Sequence, residues 1–303
     1  MAGVGLLTGW GEGPGALPAG EAEAPAALLP APTPALSGER FRRATRECLL
    51  AVAAVNGAAA EAGLAPGALA GARTGLVYAS ATAYAAANRA FLEDEGSTTL
   101  HFPYTAPSAV PGEVTIGAGI QGPSVNLMGG GPAALQALWY AARWLREGVV
   151  DRVLVLAVET VHEVWDLMHR ARRLYSRPII EGAVCLLLEP GQDGPLRWAS
   201  TVAPRARLGP AVAGVLDRVL EGENPRVLAG CAGAGGPARA EQAALARRCG
   251  TTPPTLVRAP GEALACGPLI GLALARARAL GGPCLLTAAW RNDYGALLWR
   301  LSP

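Results

Sequence analysis

Residues 122–148 read GPSVNLMGGGPAALQALWYAARWLREG, and the reading of that stretch decides the fold. A Gly-Pro turn opens a short apolar run that is stopped by Gly129-Gly130-Gly131-Pro132. An amphipathic helical pattern follows, crowded with Trp139, Tyr140 and Trp144, and Gly148 stands where a C-terminal cap belongs. The layout is strand, tight turn, helix, with residue 131 at the tip, where many enzymes keep a nucleophile. Here the tip is Gly131, which has no side chain. Glycines leading into a helix also suit an anion. Pro132 removes one of the donors a phosphate would use, and it fits more simply as the first helical residue. No nucleotide or other cofactor site is expected.

Working outward, near-continuous apolar runs recur at residues 4–9, 74–79, 152–158, 183–189, 226–230, 284–290 and 296–301. Runs apolar on both faces suit strands covered by helices on each side, as in a parallel or mixed α/β sheet. Helical patterns lie between them at 39–63, 132–148, 211–222, 238–250 and 262–282, and TLV at 255–257 reads as a short strand. Segments 11–38 and 190–209, rich in Gly, Pro and Ala without periodicity, read as loops or linkers. The order gives two halves on one plan, residues 1–192 and 193–303, without a plain sequence repeat.

Charge is balanced, 26 basic against 24 acidic residues, which points to neither nucleic acid nor an anionic membrane as partner. The chain has no lysine, so lysine Schiff-base, P-loop and general-base chemistry are excluded. Its six cysteines are scattered without metal-ligand spacing, and no metal is expected. No run approaches the roughly 18–20 apolar residues of a membrane span. The N-terminus has no charged region before an apolar one, so a soluble, reducing, cytoplasmic setting is expected.

With that plan, the opening stretch resembles the nucleophile region of the β-ketoacyl synthases of the thiolase superfamily. There a G-P-S/A turn leads into a strand, a T-A-C type elbow and a long helix. Gly122-Pro123-Ser124 opens the match, and Val125 to Gly130 fill the strand. VGLLTGWG at the start, PSAVPGEVTIGAGIQGPS at 107–124, EGAVCLLLE at 181–189 and RNDYGALLWRL at 291–301 follow the family order. The resemblance implies a thiolase-like α/β fold of two similar βαβαβ halves in α-β-α-β-α layers. It also implies that subunits pair through the strand before the elbow, here Val125, Asn126, Leu127 and Met128.

Family members load an acyl group on the cysteine and use two histidines to decarboxylate a malonyl thioester, with backbone N–H groups as oxyanion hole. In this chain the cysteine position falls on Gly131. The A-H-G-T strand end aligns with Ala229-Gly230-Cys231-Ala232, leaving Gly230 for the first histidine. The K-S-x-x-G-H stretch aligns with residues 257–262, putting Val257 at the lysine and Glu262 at the second histidine. The glycine-rich C-terminal loop is missing, because Tyr294-Gly295 runs directly into ALLWRL. The condensation chemistry has therefore lost every reactive group together.

The resemblance implies a non-catalytic, chain-length-factor-like subunit that pairs with an active ketosynthase in polyketide or fatty-acid biosynthesis and meets an acyl carrier protein. That branch tends to carry glutamine where this chain has Gly131. A glycine there would leave space for a partner's acyl chain, and Gly131, Cys231 and Tyr294 are the expected pocket residues. Two alternatives stay open: a stand-alone acyl-thioester hydrolase or acyltransferase rebuilt around Cys231 or Glu262, and a homodimeric acyl-binding scaffold. Of the histidines, His101 reads as a loop residue, and His162 and His169 as neighbours on one polar helical face rather than a metal pair. Ser124 reads as a turn serine.

Overall fold

The structure is a computed structural model that describes residues 1–19, 28–82, 84–93, 102–166, 177–191, 193–230, 236–249 and 254–302. The first half runs β1 (Gly3–Thr8), β2 (Gly11–Glu12), β3 (Leu28–Leu29), α1 (Arg46–Glu61), β4 (Thr74–Ser80), α2 (Ala85–Glu93), α3 (Ala109–Ala118), β5 (Ser124–Met128), α4 (Gly131–Arg146), β6 (Arg152–Glu159), β7 (Ile179–Ile180) and β8 (Gly182–Leu188). The second runs β9 (Gly194–Val202), α5 (Leu208–Leu220), β10 (Val227–Gly230), α6 (Gly236–Cys249), β11 (Thr255–Val257), α7 (Cys266–Ala277), β12 (Gly282–Trp290) and β13 (Asp293–Leu301).

The two main sheets are built alike. One runs β5-β4-β6-β8-β1, with β2 added at the outer edge; the other runs β11-β10-β12-β13-β9. Strand directions agree position by position: parallel through the first three strands, then antiparallel for the last two pairings. β3 and β7 form a small separate ladder.

Side-chain alternation explains the layers. In β6, Val153, Val155 and Ala157 face one core, while Leu154, Leu156 and Val158 face another. The shared middle core holds α4 and α7 between the two sheets, with Leu286, Ala288, Leu297 and Trp299 reaching it from the second sheet. On the outside, α1 and α3 cover the first sheet, and α5 and α6 cover the second. Strands covered on both faces need no polar side, which is why β4 and β8 are buried throughout, β8 wholly apolar and β4 polar only at its ends, Thr74 and Ser80. α7 is buried nearly all round for the same reason.

The segment 190–209, read from sequence as a linker, contains β9 and the start of α5. Among the described residues, β9 lies at the rim of its sheet with only β13 beside it, so its residues are mostly half-buried and give no long apolar run. It completes the second half, making its strand plan equal to the first. α4 begins at Gly131, with Gly130 as N-cap, so Pro132 is the second helical residue rather than the first.

Candidate functional site

β5 delivers the chain to the elbow, where the Gly129 N–H donates to the Ser80 carbonyl at 2.8 Å. A Cβ added at Gly131 would lie 2.5 Å from the Cβ of Ala288 and 3.3 Å from Pro268 Cγ. At Gly130 a Cβ would lie 2.7 Å from the Trp290 indole. β12 and the first turn of α7 thus press directly on the elbow backbone. The cavity left there measures about 30 Å³ and is walled by Gly131, Arg177, Glu262, Pro268 and Trp290 among others. That volume is the share of about one water molecule. The expectation that glycine leaves space for an acyl chain is corrected: Ala288 and Trp290 have taken the space, and glycine is what lets them fit.

Gly230 ends β10 and pairs with Thr287 of β12, one residue from Ala288. Glu262 lines the same cavity as Gly131, but its local bonds are structural. Its N–H donates to the Pro178 carbonyl at 2.6 Å, its carbonyl accepts from Ile180 N–H at 2.8 Å, and its Oε1 accepts from Leu264 N–H at 3.1 Å. The three degenerate positions therefore share one neighbourhood. Tyr294 does not join them. It is fully buried on the opposite face of β13, packed with Val215, Leu298 and other residues beneath α5 and α6. Side chains alternate along a strand, so a one-residue step separates Tyr294 from the face of Gly295 and Leu297 that looks toward α4. Cys231, His101 and His169 lie outside the described residues, and His162 sits in a 3-10 turn at His162–Val164.

Among the cysteines whose side chains are described, none offers an exposed nucleophile. Cys48, Cys185, Cys266 and Cys284 are all buried, and burial pushes each thiol up, that of Cys48 to about 11. Cys266 opens α7, yet its Sγ lies 3.5 Å from the Gly182 carbonyl.

The sequence reading missed Glu159, at the end of β6. Its carboxylate is fully buried and accepts from Ala81 N–H at 2.8 Å, Thr82 N–H at 2.9 Å, Thr82 Oγ1 at 2.5 Å and Ala265 N–H at 3.1 Å. Burial outweighs those bonds and pushes it up to about 7. It ties the loop after β4 to the start of α7. Beside it, Arg46 bridges Glu163 at 2.5 Å and Glu181 at 2.9 Å, and Glu181 also receives Val161 and Ala31 N–H groups. The available signal was a glutamate closing the apolar run VLVLAVE. Only the fold shows what it binds.

Among the described residues, β5 is an edge strand with β4 as its sole ladder partner. Val125 and Leu127 are half-buried against the middle core, while Ser124, Asn126 and Met128 are exposed. A groove of about 410 Å³ opens beside it, walled by Met128, Pro132, Gln136, Val202, Trp290 and Asp293. Among the described residues no group of His, Cys, Asp and Glu could hold a metal, and no helix is long and apolar enough to cross a membrane.

The sequence model described as "Beta-ketoacyl synthase, N-terminal domain" matches residues 20–194, more than half of the chain. A Streptomyces violaceoruber protein named as granaticin polyketide beta-ketoacyl synthase 1 is 32% identical over 136 residues, covering 41% of this chain. The match spans about a third of that relative's length, 32%. Among solved structures, the ishigamide ketosynthase/chain length factor superposes with a TM-score of 0.78 at 19% identity, over 99% of this chain and 98% of the other. A beta-ketoacyl synthase of Burkholderia phymatum gives 0.78 at 18% identity, over 100% and 99%. A ketosynthase bound to a type II polyketide acyl-carrier protein and a hexaketide gives 0.77 at 16%, over 99% and 98%. The fold is thus that of the ketosynthases.

Proposed function

The chain belongs to the beta-ketoacyl synthase family, and from that premise we propose that it is a non-catalytic, chain-length-factor-like subunit that pairs with an active ketosynthase in polyketide-type biosynthesis. The observation that carries this reading is the filled elbow. The position for the nucleophile is Gly131, and a side chain there would meet Ala288 at 2.5 Å. Loss of the nucleophile together with the space for its side chain supports this reading over an enzyme that acts through the elbow. What remains serviceable is shape. β5 offers an open strand edge, and the groove between Met128 and Trp290 offers a wall to whatever lies across that edge. The active partner would supply cysteine and histidines, and an acyl carrier protein would deliver the chain to that partner. The similarity to solved complexes with a chain length factor or a carrier protein supports this assignment.

The test is to incubate the purified chain with an acyl thioester, alone and co-expressed with an active ketosynthase from the same source. No acyl mass is expected on the isolated chain, and a one-to-one complex is expected in the native mass spectrum. An acyl adduct on the isolated chain would establish the stand-alone enzyme instead. A species of two identical copies that ignores the ketosynthase would establish the homodimeric scaffold.

A further inference from the structure

At the far end of α4 from Gly131, the middle core opens to solvent. A helix of 16 residues is about 24 Å long, so this end is well removed from the elbow. The opening is a cavity of about 320 Å³ at the seam between the two halves. Its apolar lining comes from four elements: Ala142 and Leu145 from α4, Leu188 from the end of β8 with Pro190 just after it, Pro195 from β9 and Trp299 from β13. That volume lies at the small end of the range for small-molecule sites, about 300–1,000 Å³, and apolar walls with a few polar groups are their usual make-up.

The polar groups around the cavity pair off and leave a remainder. Glu189 meets Arg152 at 3.4 Å. Asp193 meets the Met1 amino group at 3.2 Å and accepts from Ser302 N–H at 2.5 Å. Carbonyls at the end of α4 are taken as well: those of Arg143, Trp144 and Leu145 accept from Glu147, Val149 and Gly148 N–H groups. Two donors are left over. Arg146 is exposed beside the cavity, its guanidinium 5.7 Å from the centre of the Trp139 ring, and among the described residues it enters no ion pair or hydrogen bond. Trp299 is 1% exposed, and its buried indole N–H has no acceptor there. A buried indole N–H normally finds a partner. One uncompensated positive charge, one idle donor and an apolar lining define the complement: an apolar body with a single acidic head.

We propose that this cavity is a binding site for a small monocarboxylic acid with an apolar body. The carboxylate pairs with Arg146, whose planar fork matches it bidentately, and the body lies among Leu145, Leu188 and Trp299. Because Arg146 is exposed, water and salt screen the pair, so the affinity is modest and falls as salt rises. The lining belongs to both halves, so an occupant ties the end of β8 to β9 and β13.

The test titrates the purified chain with sodium octanoate, and with octan-1-ol as the uncharged molecule of equal length, by isothermal titration calorimetry. Indole N–H signals of the isotope-labelled chain are followed in parallel by NMR, and Trp299→Phe identifies the signal of Trp299. Octanoate is expected to bind at one site with a Kd of about 1 mM or tighter, octan-1-ol about tenfold more weakly, and the Trp299 signal is expected to move with saturation. Arg146→Gln, at an exposed position, should weaken octanoate about fivefold or more and leave octan-1-ol unchanged. Ala142→Trp, which places an indole in the cavity, should abolish both; circular dichroism checks that each variant folds. Failure of octanoate to bind the unaltered chain overturns the proposal, and so does binding that persists in a folded Ala142→Trp chain. Equal affinity for octanoate and octan-1-ol, or no effect of Arg146→Gln, overturns it in favour of a site for neutral apolar molecules. The chain is tested without a companion, so the outcome is independent of pairing with a ketosynthase.

Discussion

The two central helices occupy equivalent places in their halves, and their N-termini are secured in opposite ways. α4 starts at Gly131 under the apolar weight of Ala288, Pro268 and Trp290. α7 starts beside Ala265, whose N–H is held by the buried carboxylate of Glu159. One helix start is fixed by steric filling, the other by a polar clamp. The difference shows that the elbow of the first half was closed by side chains from the second, while the framework under it stayed polar and specific.

The clamp should give the larger effect. Glu159→Ala would strand three backbone N–H groups and the Thr82 hydroxyl in a dry site. We expect a loss of about 4 kcal/mol, read by urea denaturation; a loss below about 1 kcal/mol would show that the carboxylate is incidental. The same residue sets a pH dependence. Its folded value, about 7, lies above its ordinary 4.5, so the native state holds the extra proton between those two values. That contribution is fully present below pH 4.5 and is lost as pH rises through 7, about 3 kcal/mol in all. Glu159→Gln should flatten that slope. An unchanged slope would place the titration on another group.

The steric side is weaker and compensable. Gly131→Cys restores the family residue but sets its Cβ 2.5 Å from Ala288, an overpacking expected to cost about 2 kcal/mol. Adding Ala288→Gly should recover about half of that, because among the described residues Ala288 is the only contact below 3.0 Å. Strict additivity of the two changes would mean that the elbow is not closed by Ala288.

Much of this was legible in the sequence because strands covered on both faces leave continuous apolar runs. β4, β6, β8, β10, β12 and β13 announced themselves that way, and the strand-turn-helix at residues 122–148 fixed the elbow. The loss of reactive residues was equally plain, since it depends on identity and order alone. What was hidden depends on distance or on single-residue register. β9 opens with Gly and Pro at a half-exposed rim, so it has no apolar signature. Tyr294 is one residue away from facing α4, and no pattern in DYGALLWRL says which parity looks inward. Glu159 and Ala265 are 106 residues apart in sequence, and nothing local reports their bond. The filling of Gly131 by Ala288 is the same kind of fact.

The smallest effect on the isolated chain should be the most telling for its role. Leu76 N–H donates to the Pro123 carbonyl, and Gly129 N–H donates to the Ser80 carbonyl. In a parallel ladder those two bonds fix the parity: Val125 and Leu127 spend their backbone groups on β4, and the N–H of Asn126 points to the open edge. Asn126→Pro therefore removes an outward donor without touching the ladder to β4, and it should cost the chain about 1 kcal/mol or less. A partner strand seeking that edge would lose a hydrogen bond and meet the pyrrolidine ring, so co-purification with a ketosynthase should fall by about tenfold or more. If pairing survives the proline unchanged, the subunit contact lies elsewhere, and the groove between Met128 and Trp290 is not the wall that the partner sees.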